Sequence, residues 1–233
     1  MFICLGGIVP YNNIQVESII NIQELCVMTF GVPGDRTYKL VLIGDGAVGK
    51  TSIRERYLGR GFKRSQLATI GVDFAQKYTS YGGVNVRHII WDLAGQPSYA
   101  SVRRHYYQGS SAILLVYSVV ERESFDNATK WLVEAHKHLR GADWSGWQGL
   151  PTAVIGNKID LRDSGEFEDV VETLEGHAFA EYFAERLDAP VLYKETSALT
   201  GENINDTFSE LTGLMFEADG KRPPRTVKSA NEE

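Results

Sequence analysis

The stretch "IGDGAVGKTS", Ile43–Ser52, places three glycines and one lysine directly after an apolar run. It sits between "YKLVLIG", which reads as a buried strand, and "KTSIRERYLG", which reads as a helix. The spacing Gly44-x-x-x-x-Gly49-Lys50-Thr51 between those two elements is the pattern of a phosphate-binding loop. Glycines remove Cβ atoms, so the backbone N–H groups of Asp45, Gly46, Ala47, Val48 and Gly49 can turn inward around an anion. The helix that opens with Lys50, Thr51 and Ser52 adds the positive end of its dipole. Lys50 supplies a charge for the outer phosphates and Thr51 a hydroxyl for Mg²⁺.

Outward from this loop, continuous apolar runs alternate with helical patterns. "VNVRHIIWD", "SAILLVYSV", "TAVIGN" and "PVLYKETS" read as strands, the last three without polar alternation, as expected of strands covered on both faces. Between them, Phe125, Ala128, Leu132, Ala135 and Leu139 recur at helical steps, as do Phe179, Phe183 and Leu187, and Ile204, Phe208, Leu211 and Met215. The alternation predicts an α/β, doubly wound, parallel sheet whose ligand site lies beyond the carboxyl ends of the strands.

Three further motifs fall at strand ends. In "WDLAGQ", Asp92 is placed to hold a metal-bound water, Gly95 to offer a bare N–H to a γ-phosphate and Gln96 to orient a water. In "NKID", Asn157–Asp160, a carboxylate can accept from both N1–H and the 2-amino group of guanine, a pair of donors that adenine lacks. In "ETSA", Glu195–Ala198, the backbone can donate to the guanine carbonyl.

With these motifs in order, the chain resembles the small GTPases of the Ras superfamily, and most closely their Rab branch, over roughly residues 36–218. "TIGVDF", Thr69–Phe74, resembles the first nucleotide-sensitive segment (switch I) and "WDLAGQ" the second (switch II). The resemblance implies a P-loop G domain with a six-stranded, mostly parallel sheet, "AQKYTSY" being its antiparallel strand, and about five flanking helices. It implies GTP or GDP with Mg²⁺ as ligands and slow hydrolysis of GTP, with Gln96, Lys50 and Thr69 as the catalytic set. Thr51, Thr69 and Asp92 would hold the metal. Phe62 would pack on the guanine, and Asn157, Lys158, Asp160, Ser197 and Ala198 would frame it. Effectors, exchange factors and GTPase-activating proteins would bind residues 63–74 and 93–107.

There are departures from the family pattern. Leu93 stands where a threonine is usual, Pro97 where a glutamate follows the glutamine, and Leu199 where a lysine follows "ETSA". No cysteine follows Cys26, so C-terminal prenylation is not expected. The retained Gln96, Thr69 and Lys50 argue against a nucleotide-locked scaffold, and "NKID" with "ETSA" against a P-loop kinase or ATPase.

The formal net charge of −6 argues against a broad nucleic-acid footprint. Two cysteines, both near the N-terminus, argue against a disulfide scaffold, and His136 and His138 do not share a helical face, so no metal role is expected of them. No run reaches the length of a membrane span. Residues 1–30 are expected to be an extension, amphipathic or simply outside the domain, with Met28 an alternative start; 31–219 form the G domain and 220–233 a tail. A cytoplasmic protein with at most peripheral membrane contact is expected. Trp144 and Trp147, in "RGADWSGWQGLP", either pack back on the preceding helix or meet a partner.

Overall fold

In the computed structural model the chain is described at residues 36–62, 68–99, 103–139 and 149–221. The leader 1–30, the Trp144/Trp147 loop and the tail beyond 221 lie outside the described residues, as do 63–67 and 100–102 within the two switch segments.

Apolar runs make the sheet. β1 (Arg36–Ile43), β3 (Val84–Leu93), β4 (Ala112–Ser118), β5 (Thr152–Asn157) and β6 (Val191–Thr196) run parallel, and β2 (Val72–Tyr81) pairs antiparallel with β3 at one edge. The order is β2-β3-β1-β4-β5-β6. All seven residues of β4 are buried, because helices cover both faces of the sheet's centre. α1 (Lys50–Tyr57) and α5 (Ile204–Lys221) meet on one face, where Tyr57 stacks on Phe208 with ring centroids 3.7 Å apart. There Leu40, Leu42, Ile90, Leu114 and Val116 join Ile53, Leu211 and Met215 in one apolar cluster. Each such side chain contributes about 1.5–3 kcal/mol on burial. α3 (Ala128–Leu139) packs against β4, and α4 (Thr173–Leu187) against β6.

The apolar period from Phe125 to Leu139 predicts one helix, and the structure divides it. α2 (Arg122–Asp126) stops at Asn127, and α3 begins at Ala128. The backbone N–H of Asn127 still reaches Glu123, but its side-chain amide turns away to donate to Asp45 in the phosphate loop at 2.9 Å. Pro97 opens a short 3₁₀ turn, Pro97–Tyr99, rather than an α-helix at the described residues of switch II.

β1 leads toward β3 on one side and β4 on the other, so the strand order reverses at β1 and a crevice opens beyond its carboxyl end. The loops after β1, β3, β5 and β6 all converge there.

One ionisable group lies in the core between the two helices on the α1/α5 face. His88 is fully buried, its Nδ1 2.9 Å from the Tyr57 hydroxyl and its Nε2 3.2 Å from the Thr212 hydroxyl. Burial, with the charge of Lys77 adding to it, pushes the imidazole from 6.5 down to about 4. The unfolded chain takes up this proton first on acidification, so the contribution to stability is full above about pH 6.5 and is lost progressively down to about pH 4, by about 3 kcal/mol at most. Urea unfolding between pH 7.5 and 4.5 is expected to show that loss, and His88→Gln to flatten it.

Candidate functional site: a phosphate loop facing a base pocket

A cavity of 530 Å³ occupies the crevice, a size suited to a nucleotide-sized ligand. Gly46, Ala47, Gly49, Lys50, Thr51 and Ser52 line it from the loop and α1; Phe62, Ala68 and Thr69 from switch I; Gly95 and Gln96 from switch II. Asn157, Lys158, Asp160 and Leu161 line it after β5, and Ala198 and Leu199 after β6. Most of the residues expected from sequence therefore share one cavity. Gly44, Asp45, Val48, Asp92 and Ser197 are not among its lining residues.

The loop's shape follows from two close approaches. Gly49 has φ +100°, and a Cβ there would stand 2.2 Å from Asn157 Nδ2. Gly95 presses on the phosphate loop: a Cβ would lie 2.4 Å from the Asp45 carbonyl carbon and 2.5 Å from the Gly46 nitrogen. Any other side chain at Gly95 would lift switch II off the loop. Ala47 adopts φ 60° without being glycine, an unfavourable conformation held by its surroundings.

Lys50 is buried, and its Nζ donates to the carbonyls of Gly44 at 2.8 Å and Asp45 at 2.5 Å. Burial pushes the ammonium down to about 8; the nearby charges of Asp92 and Asp45 oppose this and that of Arg103 adds to it. An anion in the cavity would restore the full charge.

Thr51, Thr69 and Asp92, drawn from α1, switch I and the end of β3, meet. Thr51 Oγ1 donates to Asp92 Oδ2 at 2.5 Å and lies 3.0 Å from Thr69 Oγ1. Asp92 Oδ1 is buried with no hydrogen-bond partner, and burial pushes the carboxyl up against the opposing Thr51 hydroxyl and the Arg54 and Lys50 charges. Two hydroxyls and an under-satisfied carboxylate form an all-oxygen donor set, the kind a hard divalent cation such as Mg²⁺ prefers. The residues fit that ion. Among the described residues no cluster of three or more His, Cys, Asp or Glu could hold another.

At the end of β5, Asn157 lines the cavity and also binds the surrounding loops. Its Nδ2 donates to the Val48 carbonyl at 2.9 Å, and its Oδ1 accepts from Thr196 Oγ1 at 3.1 Å and from the Ala198 N–H at 3.2 Å. These bonds tie the loop after β1 to the end of β6 and the loop beyond it, and they leave one Nδ2 hydrogen of Asn157, a cavity-lining residue, unused. Asp160 is exposed in the cavity and accepts from the buried Ser197 hydroxyl at 2.5 Å, which fixes its orientation. Lys158 takes a left-handed conformation with φ 70°.

The Asp45 carboxylate is engaged behind the loop: it accepts from Asn127 Nδ2 at 2.9 Å and Trp131 Nε1 at 2.6 Å, which leaves its backbone N–H as the group expected to face an anion. Trp131 in turn carries Arg103, whose guanidinium carbon lies 4.4 Å from the indole centroid. Arg103 is buried, forks onto Glu134 at 3.0 and 2.9 Å, and donates from Nη1 to the carbonyls of Ala94 at 3.2 Å and Gln96 at 2.8 Å. A second buried arginine, Arg54, stands 3.8 Å from Asp92. Sequence reasoning missed both, because neither lies in a recognised motif and nothing in a linear pattern distinguishes a buried arginine from a surface one. The aromatic row Phe74, Trp91 and Tyr106, with centroid spacings of 5.3 and 5.2 Å, was also not anticipated.

A glycine-rich loop between strand and helix at the switch point of a parallel sheet, facing a basic lysine and an oxygen-lined metal niche, defines a P-loop nucleotide-binding protein. The Ras family model matches residues 39–217. Similar proteins include Ras-related protein RABA1a of Arabidopsis thaliana, 36% identical over 188 residues that cover 81% of this chain and 79% of the relative. Ras-related protein Rab11D of Lotus japonicus is 36% identical over 81% of this chain and 78% of its own length. Ras-related protein Rab-11B of Dictyostelium discoideum is 33% identical over 84% and 82%. The chain belongs to the Ras family. It is a Rab-like small GTPase, which binds GTP or GDP with Mg²⁺ and hydrolyses GTP.

The Arg103 contacts make a prediction. Arg103→Gln removes the fork onto Glu134 and at least one carbonyl contact, interactions of about 1.5–3 kcal/mol when charged. Single-turnover GTP hydrolysis is expected to slow about tenfold, because Gln96 is no longer held, while GDP dissociation stays within about twofold. Arg103→Lys keeps the charge but lacks the planar fork, and is expected to recover only part of the rate.

Proposed function

We propose that this protein is a GTP-operated switch in Rab-like membrane traffic, working through the residues gathered in the cavity. The observation that carries the reading is the meeting of Thr51, Thr69 and Asp92 beside the phosphate loop, in a crevice that also holds Gln96 and Asp160.

In this reading the backbone N–H groups of residues 45–49 cradle the phosphates, and Lys50 gives up its two carbonyl partners for the outer ones. Mg²⁺, held by Thr51 and Thr69 with Asp92 behind them, would neutralise the charge of the phosphates. Thr69 and the Gly95 N–H are drawn inward only while a γ-phosphate is present, which orders both switch segments; its loss releases them. Gln96 orients the attacking water. Phe62 and the stem of Lys158 cover the base, Asp160 reads its edge, Ser197 orients Asp160, and Asn157 and Ala198 hold the pocket together.

Residues 31–219 form the nucleotide-binding domain, with 1–30 and 220–233 as extensions. Partners read residues 63–74 and 93–107. Ile70 supports this: it is an apolar side chain 82% exposed beside Thr69, open to contact by a partner. Among the described residues no helix is long and apolar enough to cross a membrane. Attachment to a membrane surface would be peripheral.

Competition of GDP, ADP and XDP against a fluorescent GDP tests the base reading. Wild type is expected to favour GDP over ADP by at least about a hundredfold. Asp160→Asn replaces an acceptor with a donor and is expected to shift preference toward XDP; equal GDP and ADP affinity would remove the guanine assignment. Unassisted turnover is expected at about 10⁻⁴ to 10⁻² s⁻¹. Gln96→Leu should lower it at least about tenfold with nucleotide affinity unchanged; coincident single-turnover traces would take Gln96 out of the chemistry.

A further inference from the structure

Arg54 lies one helical turn beyond Lys50 on α1, and the function described above makes no use of it. Its side chain is only 5% exposed. Nη2 lies 2.6 Å from Asp73 and 3.1 Å from Glu55, and Nη1 lies 3.8 Å from Asp92 Oδ2. Nη1 has no hydrogen-bond partner, and neither has the other oxygen of Asp92. The charge is secure: burial works against it, but Asp92, Asp73 and Glu55 together hold the guanidinium protonated.

The strand register explains why a cation is needed. Asp73 on β2 pairs directly with Asp92 on β3, so two carboxylates face each other across the sheet edge, next to the metal niche. Like charges directly opposite are destabilising. Arg54 reaches both. Asp92 is fully buried, and an uncompensated buried carboxylate is costly. When no metal is bound, Arg54 is the neutralising charge within reach of Asp92, with Lys50 the other cation felt there.

We infer that Arg54 is a resident counter-charge that stabilises the metal-free site and thereby weakens Mg²⁺ binding to it. A divalent ion entering beside Asp92 meets a carboxylate already shared with a guanidinium, and the two cations repel in a buried setting that salt screens poorly. Part of the gain from metal binding is cancelled. The protein therefore loses Mg²⁺, and with it the grip on nucleotide, at a higher free Mg²⁺ concentration than the same site without Arg54. The inference rests on Thr51 and Asp92 serving the metal, as proposed above.

The test uses the full chain loaded with a fluorescent GDP, whose release is followed while EDTA sets free Mg²⁺ from millimolar to submicromolar. In Arg54→Gln the Mg²⁺ concentration that half-suppresses release is expected to fall about tenfold, the scale of one buried unit charge near a divalent ion. Arg54→Lys keeps a charge and is expected to stay within about twofold of wild type. The gain in thermal midpoint from adding Mg²⁺ is expected to be larger in Arg54→Gln than in wild type, because its metal-free form has lost the counter-charge. Asp73→Asn gives a second arm should Arg54→Gln fold poorly: it leaves Arg54 more free to pair with Asp92, and the half-point is expected to rise more than about twofold. Release that ignores Mg²⁺ even in wild type would overturn the metal assignment itself. Release that Mg²⁺ slows everywhere, with half-points unmoved in Arg54→Gln and Asp73→Asn, or moved equally by Arg54→Lys and Arg54→Gln, would overturn the role of Arg54 and leave the metal assignment standing.

Discussion

The site hangs from one buried amide. Asn157 ends β5 as a residue only 1% exposed, and it bonds the loop after β1 through Val48, the end of β6 through Thr196 and the loop after β6 through Ala198. A parallel sheet fixes where strands end but leaves the loops beyond them without a ladder to hold them. A single side chain with two donors and an acceptor oxygen can hold two such loops and a strand end at once, and in a dry setting each bond left unmade costs about 1–3 kcal/mol. Gly49 is part of the same arrangement, since any Cβ would occupy the space of the Asn157 amide. The glycine-rich loop and the segments after β5 and β6 are thus tied together on one side of the cavity.

The opposite side of the crevice is built to move, and charge decides how. Thr69 is half-buried and Gln96 exposed. What holds them is polar: the Thr51–Thr69 hydroxyl contact, the Arg103 bonds to the Ala94 and Gln96 carbonyls, and the Arg54–Asp73 ion pair at the start of β2. Polar contacts of this kind can exchange partners with a ligand at little net cost, whereas apolar packing cannot. Trp131 connects the two regimes: its ring carries Arg103 and its N–H donates to Asp45, so switch II and the phosphate loop share one support on α3.

Much of this was legible in the sequence, for a physical reason. Continuous apolar runs had to become doubly covered strands, Gly44-x-x-x-x-Gly49-Lys50-Thr51 between a strand and a helix had to become an anion cradle, and "NKID" and "ETSA" marked two more strand ends. These are local properties: periodicity, the missing Cβ, the donor and acceptor inventory of each side chain. They determined the fold class, the nucleotide and most of the residues that line the cavity.

Tertiary structure alone decided how those residues divide their work. Asn157 lines the cavity and also binds the loops around it; Asp45, whose backbone N–H is expected at the phosphates, turns its carboxylate to Asn127 and Trp131. Arg54 and Arg103 carry no signal in the linear chain, because an arginine's role depends on what lies within about 4 Å of its guanidinium after folding. Here those neighbours come from segments distant in sequence: Asp73 and Asp92 for Arg54, Glu134 and Trp131 for Arg103. Sequence specifies which groups are available; only the closed sheet, by setting register and the direction each loop leaves it, specifies which of them meet.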